Sequence, residues 1–253
     1  MPTFKITIAY DGGPFVGWQR QSAGTSVQGL IEDALRSLDG ADVTVHGAGR
    51  TDAGVHALGQ VASFSLRRGI GADVVQRALN NHLPDEVRIV ASEEVGPSFH
   101  ARFGARSKTY RYRLWNADVA NPFEEGHAWF VRGALAVDAM QAAAATLVGR
   151  HDFAAFQAAD GTQRTTERDV RVSCVSVLED GDRAAGAARV IVYEIAGNGF
   201  LRHMVRAIVG SLVEVGHGRH GAEWLREVLA SRDRTRAGPT APAHGLFLAR
   251  VDY

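Results

Sequence analysis

Three segments of this 253-residue chain hold residue types capable of chemistry. The densest is Gly47-Ala48-Gly49-Arg50-Thr51-Asp52-Ala53-Gly54-Val55-His56-Ala57, which gathers three glycines, an arginine, an aspartate and a histidine in one run. Glycine lets a backbone approach a ligand closely, and a carboxylate such as Asp52 can act as nucleophile or base when its neighbours tune it. The structural alternative is concrete, because Asp-Ala-Gly is also a good Asx-turn. His56 has no nearby cysteine and no second histidine and carboxylate at ligand spacing, so a metal site has little support. His217 and His220 fall in a glycine-rich stretch and read as a helix end.

The second segment runs from His100 to Arg113 and carries Arg102, Arg106, Lys108, Arg111 and Arg113 without one acidic residue. Strand alternation puts Tyr110, Tyr112 and Leu114 on one face and Arg111 and Arg113 on the other. The aromatics could then stack on bases while the arginines meet phosphates. The plainer version has the tyrosines in a core and the arginines in water; the acid-free flank favours contact with a polyanion. The third segment is Asn198 to Leu212. On a helix, Met204, Val205, Ile208, Val209, Leu212 and Val213 form a broad apolar face, with Arg206 half-buried at its edge in line with Gly210. Such an arginine can simply reach back to solvent. Beside Asp52 it would instead form a charge-assisted bridge that keeps the aspartate ionised and oriented.

The elements that must hold these segments follow from periodicity. Thr3 to Tyr10 alternates like a strand, Asp11-Gly12-Gly13-Pro14 signals a turn, and Thr25-Ser26-Val27-Gln28 has capping-box spacing before a helical repeat of Val27, Ile31, Leu35 and Leu38. Val43-Thr44-Val45 and Gln60 to Leu66 read as strands enclosing the Asp52 loop, followed by a helix around Val74 to Leu79 and a strand at Val87 to Val90. The second half reads as a strand at Thr109 to Leu114, a helix from Asp138 to Val148, strands at Val170 to Leu178 and Arg189 to Ala196, and a helix from His203 to Val215. Two halves of strand–helix–strand type would leave a cleft where loops of both converge. Gly96-Pro97 breaks both periodicities, giving residues 1–96 as the half with the Asp loop and 97–253 as the half with the tyrosine strand and arginine helix.

Composition narrows the class. Hydrophobic residues make up 45% and charged residues 22%, which excludes disorder as the main state. Basic and acidic residues balance at 28 each, so affinity for nucleic acid must come from local patches. Only Lys5 and Lys108 are lysines, leaving 26 arginines, the residue suited to bidentate phosphate contacts and base stacking, although a biased genome gives the same skew. The single Cys174 excludes an internal disulfide and points to a reducing cytoplasm. The start of the chain lacks the order of a targeting peptide, and Ala139 to Gly149 is too short an apolar run for a bilayer span.

At the three segments the sequence resembles the tRNA pseudouridine synthase A family. Gly49-Arg50-Thr51-Asp52-Ala53-Gly54-Val55-His56-Ala57 matches that family's catalytic loop, and Tyr10-Asp11-Gly12 with Gly17-Trp18-Gln19-Arg20-Gln21 its opening. Phe99-His100-Ala101-Arg102-Phe103 through Tyr110-Arg111-Tyr112 is similar to its second motif, Phe200-Leu201-Arg202-His203-Met204-Val205-Arg206 to its third, and His244-Gly245-Leu246-Phe247-Leu248 to its ending. The resemblance implies an α/β fold of two similar halves around a continuous, mainly antiparallel sheet flanked by helices. It also implies a homodimer whose basic clefts hold tRNA, and no metal or organic cofactor. It makes Asp52 the essential catalytic residue, Arg206 its partner, Tyr110 the ring under the target base and Arg50 an aid to displacing the target nucleotide. The implied reaction turns uridine into pseudouridine at positions 38, 39 and 40 of the anticodon stem-loop. A non-catalytic RNA-binding module would explain the basic, aromatic strand but would not need the Asp52 loop. A nuclease or glycosidase would need metal ligands or a second close carboxylate, which the motif spacing does not offer.

Overall fold

The computed structural model describes residues 1–159, 161, 165–178 and 188–253. Its elements in chain order are β1 (Thr3–Tyr10), α1 (Val27–Asp39), β2 (His46–Gly47), β3 (His56–Ser65), α2 (Ala72–His82), β4 (Val87–Val95) and β5 (Ser107–Asn116). There follow β6 (Trp129–Val131), α3 (Val137–Ala145), β7 (Gly149–Asp152), β8 (Glu167–Leu178), β9 (Arg189–Gly197), α4 (Met204–Gly216), α5 (Trp224–Ser231) and β10 (Leu246–Asp252). The fold is mixed α/β, with mainly antiparallel sheet flanked by helices, as the family resemblance implies. Two compact units divide the chain, one of Met1–Arg106 with Phe247–Tyr253 and one of Ser107–Leu246. Gly96 and Pro97 stop β4 at Val95.

In the first unit the strands lie in the order β4-β1-β3-β10, with β2 on β3. β1 lies between β3 and β4 and runs antiparallel to both, so α2 connects two strands that do not pair with each other; β10 is parallel to β3. The alternation of β1 puts Phe4, Ile6 and Ile8 fully in the core, where Phe4 stacks on Phe64 at 5.8 Å. α1 buries Val27, Ile31 and Leu35, each contributing about 1.5–3 kcal/mol relative to exposure. Its cap is Ser26, whose Oγ accepts from the Gly29 N–H at 3.2 Å, rather than Thr25 in a box with Gln28. The Gln28 amide is committed elsewhere, donating to Glu32 and to the Val45 carbonyl.

The second unit orders its strands β5-β9-β8-β7, with β6 parallel to β5. β7, β8 and β9 form an antiparallel meander, and β9 pairs along the whole of β5 in the register Tyr110↔Ile195, Arg111↔Glu194, Tyr112↔Tyr193. α3 and α4 supply Met140, Ala143, Ala144, Met204, Val205, Ile208, Val209 and Leu212 to the core. α4 ends at Gly216 and His217 caps it, with the positive-φ Gly218 next, so this histidine marks a helix end as its surroundings suggested. Two expectations are corrected. Val43 to Val45 is not a strand, because Val43 and Val45 bury their side chains from an irregular segment and only His46–Gly47 pairs with β3. β3 begins at His56, so the end of the expected loop is already sheet.

Candidate active site

Asp52 lies half-buried in a loop of the first unit braced on both sides. Before it, Thr51 is tied twice: its hydroxyl is 2.7 Å from that of Tyr10, and its carbonyl accepts from the Trp18 N–H at 3.1 Å. After it, the Val55 N–H donates to the Asp52 carbonyl at 3.1 Å, and Gly54 takes a left-handed φ of 75°. The closing bond of the Asp-Ala-Gly turn is thus main-chain. Upstream, the Ala48 N–H donates to the Val61 carbonyl and the buried Gln60 amide to that of Gly49. Arg50 points its charge into solvent.

Close backbone approach explains two glycines of the opening motif. A Cβ on Gly12 would fall 2.0 Å from the Val55 carbonyl oxygen, and one on Gly17, already at φ 111°, would fall 2.6 Å from that of Thr51. Only glycine lets the 11–18 segment lie against the loop this way. His56 is a strut of the same assembly: it is buried, stacks on Phe247 at 4.6 Å, and its Nδ1 accepts the Gly12 N–H at 3.0 Å. The same Nδ1 lies 3.1 Å from Asp11 Oδ1.

Tyr10 anchors the loop as a neutral phenol. Burial pushes its pKa up to about 12, against the smaller opposing effect of its hydrogen bonds to Thr51 and Gln60. A group whose proton is held more tightly in the folded state contributes stability below its unfolded pKa of about 10 and loses it as pH climbs. The loop is therefore expected to lose on the order of 3 kcal/mol of support between about pH 10 and 12. Chemical denaturation across that range should show one proton less of pH dependence in Tyr10→Phe; an unchanged slope would refute the assignment.

The second unit holds the tyrosine strand and the arginine helix. Tyr110 and Tyr112 share the buried face of β5, as alternation predicts. Tyr110 meets the ring of Phe200 edge-on at 5.1 Å, which joins the second and third segments. Tyr112 is fully buried, donates its hydroxyl to the Pro242 carbonyl at 2.8 Å and meets Trp129 edge-on. Burial drives its pKa far up, opposed by the nearby Arg206 charge. That committed hydroxyl removes Tyr112 from the list of site tyrosines.

Arg111 and Arg113 are neither in plain water nor bare. Arg111 Nε donates to Glu194 at 2.7 Å, directly across the β5–β9 register, and Arg113 reaches both oxygens of Glu124 at 3.1 and 2.9 Å. Arg206 is half-buried on α4, as its helical position predicts, and its Nε donates to the Ala241 carbonyl at 2.7 Å while its own carbonyl accepts from the Ala241 N–H. The 238–241 segment crosses α4 so closely that a Cβ on Gly210 would stand 1.7 Å from the Pro239 carbonyl oxygen. The residues missed in sequence reading are the supports, Tyr10, Thr51, Gln60 and Phe200. Tyr10, Thr51 and Phe200 lay inside the quoted motifs, and only their partners were invisible.

A family model described as tRNA pseudouridine synthase matches residues 6–104 and 143–253. Relatives named tRNA pseudouridine synthase A from Myxococcus xanthus, Afipia carboxidovorans and Moorella thermoacetica are 46%, 45% and 46% identical. Each alignment spans 100% of this chain, and 92%, 100% and 100% of the respective relative. The chain belongs to the tRNA pseudouridine synthase family. Within this pseudouridine synthase the model's two matched stretches hold the Asp52 loop and α4 with Arg206. Tyr110, Arg111 and Arg113 lie between those stretches and inside the full-length alignments.

Proposed function

We propose that the protein isomerises uridine to pseudouridine at positions 38, 39 and 40 in the anticodon stem-loop of tRNA, with Asp52 as the catalytic nucleophile. The observation that supports this reading most is the presentation of Asp52. A single carboxylate sits in a turn fixed by Tyr10, Trp18, Thr51 and His56, in a chain of this family. In the reaction the bond from uracil N1 to ribose C1′ breaks and one from C5 to C1′ forms. The C5 proton leaves, N1 takes up a proton, and nothing is consumed. A carboxylate suits this chemistry, since it can hold the detached base or sugar covalently while the uracil turns.

Target atoms in a stacked stem must first be exposed, at a cost on the order of a few kcal/mol. We assign Arg50, exposed two residues before Asp52, to displacing the target nucleotide, and Tyr110 to the face of the flipped base. Arg206 is assigned as the charged partner of Asp52. Arg111 and Arg113 are assigned to phosphates, exchanging Glu194 and Glu124 for RNA oxygens on binding. Each replaced by Ala should then weaken tRNA binding and lower the slope of log affinity against log salt by about one unit. An unchanged slope would leave that arginine as a structural partner of its glutamate.

The protein acts as a homodimer in the cytoplasm on this reading, and no cofactor is invoked. Among the described residues no helix is long and apolar enough to cross a membrane. Sedimentation at micromolar concentration is expected to give twice the chain mass; a fully active monomer would refute the dimer. The direct test incubates the protein with an anticodon-arm transcript carrying uridines at the three positions, in the presence of a chelator, and measures pseudouridine. Binding without product from the intact protein would select the non-catalytic RNA-binding module instead.

A further inference from the structure

Outside the Asp52 loop, the first unit carries a ladder of three rings. His46 on β2 stacks on His100 at 4.7 Å with 27° between planes, and His100 packs on Phe103 at 4.4 Å and 35°. Phe103 ends the ladder at 78% exposure, with the Arg102 guanidinium 5.7 Å from its centroid. An apolar ring held this far into water is unfavourable, and an unrestrained turn would fold it down.

The turn is restrained. The Ala101 N–H donates to Ser63 Oγ at 3.0 Å, and the Ala101 carbonyl accepts from the Tyr253 hydroxyl at 2.8 Å. Ser63 is the β3 residue opposite His46 in the β2–β3 register, so one residue of β3 fixes both halves of the ladder. His100 Nδ1 accepts the Arg102 N–H at 3.1 Å, and the Gly104 N–H closes the turn on the His100 carbonyl at 2.9 Å. Burial, and next the neighbouring His46, lower the His100 pKa, so near neutral pH it stacks as an uncharged heterocycle.

We propose that His46, His100 and Phe103 form a platform on which an unpaired base of the substrate RNA stacks, separate from the ring that receives the target uracil. Three features favour RNA as the occupant. The outer ring, Phe103, is largely exposed with the Arg102 guanidinium over it, and both a ring and a guanidinium plane can stack on any base. The segment that carries His100 and Phe103 also carries the exposed Arg102 and Arg106, with no acidic residue between His100 and Arg106 in the chain. The strand that carries His46 leads directly through Gly47 into the Asp52 loop, so RNA bound for the chemistry passes this part of the unit. The platform rests on the tRNA reading for its ligand, and its test keeps the two apart.

The test uses an anticodon-arm transcript with 2-aminopurine replacing its unpaired loop bases one at a time, since this analogue loses fluorescence when it stacks. Wild type is expected to quench at least one position, and Phe103→Leu to abolish that quenching and weaken affinity by about 5- to 150-fold, the effect of one lost base–ring stack. Phe103→Trp should restore both. A blunt-ended RNA duplex should bind wild type and Phe103→Leu equally, and KM should rise in Phe103→Leu while single-turnover kcat stays. Unchanged quenching and affinity in Phe103→Leu, or failure of wild type to bind RNA, would overturn the platform. Pseudouridine formation by wild type, measured in the same samples, judges the proposed reaction independently of ring-dependent binding.

Discussion

Asp52→Asn is expected to lower the single-turnover rate of pseudouridine formation by about 10⁴-fold or more, the scale on which a covalent nucleophile is lost. Affinity for the anticodon-arm transcript should stay near wild type. The change removes charge and nucleophilicity with almost no change of shape. The loop is held by the Thr51 hydroxyl and carbonyl, the Val55 N–H and the His56 ring, none of which the substitution alters. Asp52→Glu supplies the complementary case. It keeps the charge but displaces it by one methylene, and a misplacement of about 1 Å can itself cost 10²-fold. A purified Asp52→Asn protein that makes pseudouridine at near wild-type rate would falsify the nucleophile assignment.

At Tyr110 the ring is expected to matter for affinity, and two substitutions separate ring from hydroxyl. Tyr110→Leu removes the platform and the edge-on contact with Phe200, so it should weaken tRNA binding by about 1–3 kcal/mol. Tyr110→Phe keeps both and should bind normally. If the hydroxyl also transfers a proton, Tyr110→Phe will in addition lose about 10²–10⁴-fold in single-turnover rate. Tyr112→Phe is the control, because its hydroxyl is spent on the Pro242 carbonyl inside the core. It should cost about 1 kcal/mol of stability and leave catalysis alone. Wild-type behaviour of Tyr110→Leu in both binding and rate would remove Tyr110 from the site.

Local rules made much of this legible. The alternation of Phe4, Ile6 and Ile8 and the helical spacing of Val27, Ile31 and Leu35 translate directly into buried faces, because period and burial are the same information. The half-burial of Arg206 followed from its place on the helix edge. What stayed hidden was pairing across the chain. Arg111 and Glu194 are 83 residues apart and meet only through the β5–β9 register, and nothing in an acid-free flank announces a carboxylate on the neighbouring strand. The N-cap was misplaced by one residue because Thr25 and Ser26 are both good caps, and the tertiary commitment of Gln28 to Val45 decides between them. Val43 to Val45 looked like a strand because its valines are buried, although its backbone joins no ladder.

The assignment of Phe247–Tyr253 to the first unit bears on how the chain is made. β10 pairs with β3 and brings Phe247 against His56, yet it leaves the ribosome only after the whole second unit has been synthesised. Until then the start of β3 at His56 and Ala57, beyond the stretch that β2 covers at Ala62 and Ser63, lacks its β10 partner and is an exposed template for wrong pairing, and the His56 imidazole lacks its stacking ring. The catalytic loop is encoded early but its scaffold is finished late, which makes the second unit an insertion within the first and ties maturation of the Asp52 loop to translation of the final strand.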